Sequence, residues 1–99
     1  MNLAKVLGTV VSTKKEESLD GLKFLLLGQL DDRRNVTGTS VVAADAVGAG
    51  VGELVLYATG SSARQTRLTD KRPVDAVIMA IVDSWEIEGE EIYKKGRDD

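Results

Sequence analysis

Apolar residues are concentrated in five segments of this chain, and glycine or clustered polar residues separate each segment from the next. Short apolar runs bounded by such breaks are typical of β-strands. We therefore predict five strands, at residues 3–13, 22–30, 41–47, 54–59 and 77–87. The polar connections contain the Asp, Asn, Ser and Gly residues that favour turns, and they lie at residues 14–21 and 31–39.

Two weaker signals follow the fourth strand. The spacing Ser62-x-x-Gln65 is typical of a capping box and predicts one short helix of a turn or two. Near the end of the chain, Gly89 breaks the fifth strand, and the apolar residues at 92–93 predict a further short strand before a charged tail.

The second and fifth strands are apolar on both faces. Side chains of either parity are hydrophobic in residues 22–30 and again in residues 77–82. A small antiparallel sheet usually exposes one face to water, so the second apolar face predicts self-association. Five short strands and one brief helix predict an all-β fold, a small closed or partly open OB-like barrel, although composition alone leaves barrel and sandwich open. We assign the barrel domain to residues 1–88 and a C-terminal extension to residues 89–99.

The composition excludes several classes of function. The 99 residues allow one small domain and carry a formal net charge of -3, which disfavours binding to nucleic acid or to anionic membranes. The absence of cysteine excludes disulfides and thiolate chemistry, and the absence of histidine leaves few ligands for zinc or copper. Residues 1–11 are too short an apolar stretch for a secretory leader, and no segment has the apolar length of a transmembrane helix, so we expect a cytosolic protein.

Three alternating glycines, Gly48, Gly50 and Gly52, separate the third strand from the fourth, with Ala49 and Val51 between them. A phosphate-binding glycine loop leads into a helix whose N-terminus faces the anion, whereas this loop leads into a strand. We interpret it as a tight turn that requires positive φ or close packing. At a symmetry axis such a loop would let several backbones come close together, which makes these five residues candidates for a subunit contact or a pore.

Three polar residues after the fourth strand, Ser61, Ser62 and Arg64, superficially suggest a nucleophile, but an activated serine needs a general base and the chain has no histidine. We interpret Ser61 or Ser62 as a helix cap, keep both serines as candidates for the subunit contact or pore, and place Arg64 at a subunit boundary or in solvent. Trp85 continues the alternation of apolar and polar residues in the fifth strand. A place in the core and a place at a subunit interface are equally good interpretations of this tryptophan.

The aspartates have no compact metal-ligand spacing, so we interpret them as solvated or capping residues and predict no metal or cofactor.

Several motifs together resemble one protein family. They are Asp-Ala-Val-Gly-Ala-Gly-Val-Gly-Glu at residues 45–53, Gly-Ser-Ser-Ala-Arg-Gln at 60–65, Pro-Val-Asp at 73–75 and Ile-Val-Asp at 81–83, with further similarity over 3–11 and 19–27. The chain resembles the EutN/CcmL family of ethanolamine-utilisation and carboxysome vertex proteins, which cap the corners of bacterial microcompartment shells. The resemblance implies a β-barrel with a structural role and no catalysis.

The resemblance also implies how the protein assembles. It implies a homopentamer that sits in a cytoplasmic microcompartment shell, between hexameric and other shell proteins, and it places the motif that contains Arg64 near the ring contacts. The alternative function is an OB-like module that binds nucleic acid or a small ligand. The acidic net charge and the scarcity of aromatic residues argue against that alternative.

Overall fold

The computed structural model describes residues 1–98, which contain seven strands and two short 3-10 helices. The strands are β1 (Asn2–Val10), β2 (Phe24–Leu30), β3 (Val36–Asp45), β4 (Leu54–Thr59), β5 (Ala76–Ile81), β6 (Ser84–Ile87) and β7 (Glu90–Lys94). The first five form a closed barrel in the order β1-β2-β3-β5-β4, antiparallel except for the parallel pair of β3 with β5. The predicted five-stranded barrel is confirmed.

The barrel interior is filled by side chains that point inward from alternate positions of the strands. Its largest fully buried members are Val6, Leu25, Leu27, Val55, Tyr57 and Ile78. Two smaller apolar clusters lie at opposite ends of β2, because one contains Phe24 and the other contains Leu30. The first cluster packs against the second 3-10 helix, and the second packs against the C-terminal strands.

The outer surface of the barrel also carries apolar side chains, as the two-faced pattern of β2 predicted. Leu26 is half-buried on this surface, and the exposed Val42 lies directly across from it on β3. Leu7 of β1 packs over Gly28 and is likewise exposed. The barrel therefore presents an apolar outer face that another molecule could bury.

The prediction of one strand over residues 77–87 is wrong, because the chain leaves the barrel between β5 and β6. The amide of Val82 still bonds to β4, at 2.8 Å. The carbonyl of Asp83, one residue later, accepts a hydrogen bond from the amide of Lys95 at 2.8 Å. Between Val82 and Asp83, the backbone hydrogen bonds of the chain thus switch from the barrel to the C-terminal segment.

The prediction of a loop over residues 31–39 is wrong in its second half, where β3 begins. Asp31 closes a tight turn, since its backbone amide donates to the carbonyl of Asn35 at 2.9 Å and its Oδ1 accepts from the amides of Arg33 at 2.8 Å and Asn35 at 2.9 Å. β-branched residues follow the turn at 36, 37 and 39 and favour a strand.

The remaining differences lie at the ends of elements. β1 ends at residue 10 rather than 13, and β2 begins at residue 24 rather than 22. The predicted connection over residues 14–21 contains a short 3-10 helix, Glu17–Leu19. The Glu16 carboxylate caps it by accepting a hydrogen bond from the amide of Ser18 at 2.7 Å.

The predicted C-terminal strand is present as one half of a hairpin formed by β6 and β7. Glu88 and Gly89 form its turn with φ of 49° and 83°, and two successive positive φ angles are typical of a two-residue hairpin turn. The predicted boundary between residues 88 and 89 lies in this turn, and the division of the chain there stays a prediction. None of the helices within residues 1–98 is long and apolar enough to cross a membrane.

Candidate subunit-contact site

The glycine loop, residues 46–53, connects β3 to β4 and is organised by the aspartate that ends β3. The Asp45 side chain is buried, and its Oδ1 accepts hydrogen bonds from the amides of Val47 at 3.0 Å, Gly48 at 3.1 Å and Ala49 at 3.3 Å. One carboxylate oxygen therefore satisfies three backbone donors of the loop. Of the two interpretations given to the aspartates, capping is correct for Asp45.

Glu53 holds the other end of the glycine loop. Its Oε1 accepts a hydrogen bond from the amide of Gly50 at 2.6 Å, and its Oε2 lies 2.5 Å from the Nζ of Lys95. The Lys95 ammonium and the Gly50 amide lower the pKa of the Glu53 carboxyl, and the carboxylate in turn raises the pKa of Lys95. Sequence reasoning missed this pair, since the two residues are 42 positions apart and nothing local relates them.

Backbone conformation favours glycine at two positions of the loop, and close packing favours it at the third. Gly48 and Gly52 have φ of 80° and 92°, a region that side chains other than glycine's rarely enter. Gly50 does not have positive φ, but a Cβ at this position would lie 3.3 Å from Oε1 of Glu53. The interpretation of a turn that needs positive φ or close packing is confirmed.

The apolar side chains of the glycine loop face different surroundings. Ala49 is only 2% exposed and packs in the barrel core, so its side chain is unavailable to a second subunit. Val51 is 64% exposed and Val47 is 40% exposed. The loop is thus anchored from the inside by its central residue and presents two valines on the outside.

The Glu53 contacts predict a dependence of stability on acid pH. Because the folded-state pKa of Glu53 lies below the ordinary value of 4.5, the stabilisation should be complete above that pH and be lost as the pH falls through the lowered pKa. We expect the difference in free energy of unfolding between the wild type and Glu53→Gln, measured by urea unfolding, to shrink below pH 4.5. Glu86→Gln, at an exposed position of β6, is the control. A wild-type advantage that stays constant down to pH 3 would contradict the prediction.

The helix predicted after β4 is present as the 3-10 helix Gly60–Arg64, but the serines do not cap it. Its N-cap is Thr59, whose side chain makes no capping bond, and Ser61 and Ser62 are exposed inside the helix. The capping interpretation of the serines is wrong because the helix begins before either of them.

Arg64 is exposed at the end of this helix, and its Nη1 donates a hydrogen bond to the carbonyl of Val74 at 3.2 Å. Its role at a subunit boundary stays a prediction.

Sequence reasoning missed Thr69, which is fully buried and donates a hydrogen bond to the carbonyl of Ala63 at 2.6 Å. The hydroxyl of Thr66 lies 2.6 Å from that of Thr69, so two threonines shape the connection to β5.

Trp85 lies at the other end of the barrel, on β6. Its ring is half-buried with its centroid 5.5 Å from that of Tyr93, and its Nε1 donates to the carbonyl of Asp32 at 3.0 Å. Leu30 and Leu54 belong to the same apolar cluster. Trp85 therefore attaches the hairpin to the barrel, and a further contact with another subunit stays a prediction. The structure does not bring it together with Arg64, which lies at the opposite end of the barrel.

The chain is similar to known proteins over most of its length. A family model described as ethanolamine utilisation protein EutN/carboxysome matches residues 1–83. The carboxysome shell vertex protein CcmL of Synechococcus elongatus is 50% identical over 95 residues, which cover 96% of each chain. The structure of Gloeobacter violaceus CcmL superposes with a TM-score of 0.92 at 46% identity, covering 96% of this chain and 98% of that one.

A pentameric relative has also been solved. The structure of the GrpN pentameric microcompartment shell protein from Rhodospirillum rubrum has a TM-score of 0.80 at 46% identity, and the match covers 88% of this chain and 100% of that one. Sequence and fold agree in these comparisons. This chain is a member of the EutN/CcmL family.

Proposed function

We propose that this chain is a structural shell protein that caps the vertices of a polyhedral bacterial microcompartment as a closed ring of five copies. The observation that carries the proposal is similarity, in sequence and in fold, to proteins named carboxysome shell vertex protein over nearly the whole chain. The relative described as pentameric supports a ring of five. The apolar outer face of the barrel supports self-association independently of any relative.

A ring of five identical subunits needs a heterologous contact, in which one surface of each copy meets a different surface of its neighbour. We assign the glycine loop to this contact or to the opening at the ring axis, because it presents Val47 and Val51 on a rigid turn. Arg64 suits a subunit boundary, since its planar guanidinium can hold carbonyl or carboxylate oxygens as it holds the carbonyl of Val74. Hexameric and other shell proteins surround the ring in this proposal.

The proposed role is structural and therefore needs no catalysis, metal or cofactor. Within residues 1–98 no three His, Cys, Asp or Glu side chains are grouped so that they could hold a metal ion. One surface depression, of about 540 Å³, is wide open, and the guanidinium of Arg72 at its wall already bonds the carbonyls of Asp20 at 2.6 Å and Ser18 at 3.3 Å. No specific observation therefore favours the nucleic-acid or small-ligand alternative.

Deletion of the gene tests the proposed role. Flat hexagonal tiling does not close on itself, so shells without their vertex protein should be elongated or open in thin-section electron microscopy, while their facets remain. Activities of the encapsulated enzymes, assayed in cell extract, should be unchanged, and the intact gene supplied on a plasmid should restore closed shells. Normally closed polyhedra in cells without any second vertex protein, or loss of one enzymatic step in extract, would contradict the proposal.

A further inference from the structure

The edge of β3 is open along most of its length. β3 pairs with β2 from residue 36 to residue 44, but it pairs with β5 only at Ala44 and Asp45. The amide of Asp45 donates to the carbonyl of Lys23, the residue before β2, at 2.8 Å. Because bonding directions alternate along an antiparallel pair, the N–H and C=O groups of Val42 and Ser40 point away from β2, toward the open edge.

This open edge lacks two of the features that keep sheet edges from associating, charge and proline, although its register against β2 shifts between the pairs Gly28–Ser40 and Leu30–Val36. Residues 36–44 contain no charged residue and no proline. Val36 is 77% exposed and Val42 is 48% exposed. A long, uncharged, β-prone edge is a site for pairing with another chain, and natural monomers protect such edges with charges, prolines or bulges. The lack of charge and proline along the regular part of the edge, residues 40–44, indicates that it is covered when the protein is assembled.

We propose that the open edge of β3 in one copy receives the glycine loop of the neighbouring copy, a contact that rests on the proposed ring of five. The two surfaces match in character, because residues 46–52 are also uncharged and expose two valines. The glycines at 48, 50 and 52 let another backbone approach closely. The loop and the edge are different surfaces of one subunit, as a heterologous contact requires.

Ring symmetry excludes the simplest competing occupant of the edge. Two β3 edges that paired with each other would be related by a twofold axis, and such isologous pairing yields dimers. In a ring with an odd number of subunits, an edge that lies in the ring contact therefore meets a different surface of the neighbour. The glycine loop fits this requirement, because it exposes Val47 and Val51 and carries no charge over residues 46–52.

Both surfaces are held in place before assembly. The glycine loop is fixed by the carboxylates of Asp45 and Glu53 and by the buried Ala49. On the other surface, the Oγ1 of Thr37 donates to Oε1 of Gln29 at 2.9 Å, and Nε2 of Gln29 donates to the hydroxyl of Tyr57 at 3.0 Å. Pre-organised surfaces lose little conformational entropy on association.

Disulfide trapping tests the contact directly, because the chain has no cysteine of its own. Four double variants combine Ser40→Cys or Val42→Cys on the edge with Val47→Cys or Val51→Cys on the loop, and the four single variants are the controls. A disulfide forms only when the two Cα atoms lie within about 7 Å. After mild oxidation, at least one double variant should give a ladder on non-reducing gels that ends at five times the 10.6 kDa chain mass. The single variants should stay uncross-linked.

The outcomes separate this contact from the ring itself. Native mass spectrometry of the reduced variants and of the wild type shows whether the ring is present, and amide hydrogen exchange shows whether Ser40 and Val42 are protected in it. A pentamer without any ladder and with fast exchange at these amides would overturn the contact and leave the ring intact. Cross-linked dimers of an edge single variant, or double variants that close only within one chain, would overturn it as well. A monomer would overturn both the contact and the ring.

Discussion

Asp45→Ala should lower the free energy of unfolding by about 3 kcal/mol, because it leaves three loop amides without their shared acceptor in a buried site. For a domain of this size, each kcal/mol shifts the melting temperature by about 4–8 °C. Thermal and urea unfolding at one fixed protein concentration would measure the loss, since association makes apparent stability depend on concentration.

Asp45→Asn is the matched control, because its side-chain carbonyl can still accept hydrogen bonds from the same amides. We expect it to retain most of the stability that Asp45→Ala loses. If the two variants unfold at the same temperature as the wild type, the carboxylate does not organise the glycine loop as described.

Gly52→Val should cost about 2 kcal/mol of stability, because a β-branched residue is forced into the positive φ of 92° found at this position. Circular dichroism melting and native mass spectrometry would separate loss of fold from loss of assembly. The contact proposed above adds a second consequence, namely that a distorted loop weakens the ring even at temperatures where the barrel is folded.

Gly8→Val is the comparison for this change. Gly8 is a glycine of β1 without positive φ, and a Cβ there meets no atom within 4 Å, so the substitution should shift stability by less than about 0.5 kcal/mol. Equal melting temperatures for Gly52→Val and Gly8→Val would refute the role given to backbone conformation.

The barrel and the outline of the site could be predicted from the sequence because their signals are local. Apolar runs between glycine and polar breaks located all five barrel strands, and the apolar parity of residues 22–30 correctly marked an inner and an outer face. The alternating glycines identified a constrained turn, and the motifs identified the family. Each of these features depends on spacing between neighbours in the chain.

The single strand predicted over residues 77–87, the assignment of Ala49 and the missed Glu53–Lys95 contact share one physical cause, because each depends on partners distant in the sequence. The pattern of residues 77–87 predicts one strand, but Asp83 bonds to Lys95 instead of continuing the pairing with β4. The sequence places Ala49 in a loop, and only the closed barrel shows that its side chain is buried. Glu53 and Lys95 have no relation along the chain, yet their contact holds the glycine loop. The periodicity of the chain therefore dictated which segments are strands and which faces are apolar. Closure of the barrel selected the pairing partners, the buried side of the glycine loop and the open edge of β3, because these follow from packing between segments far apart in the chain.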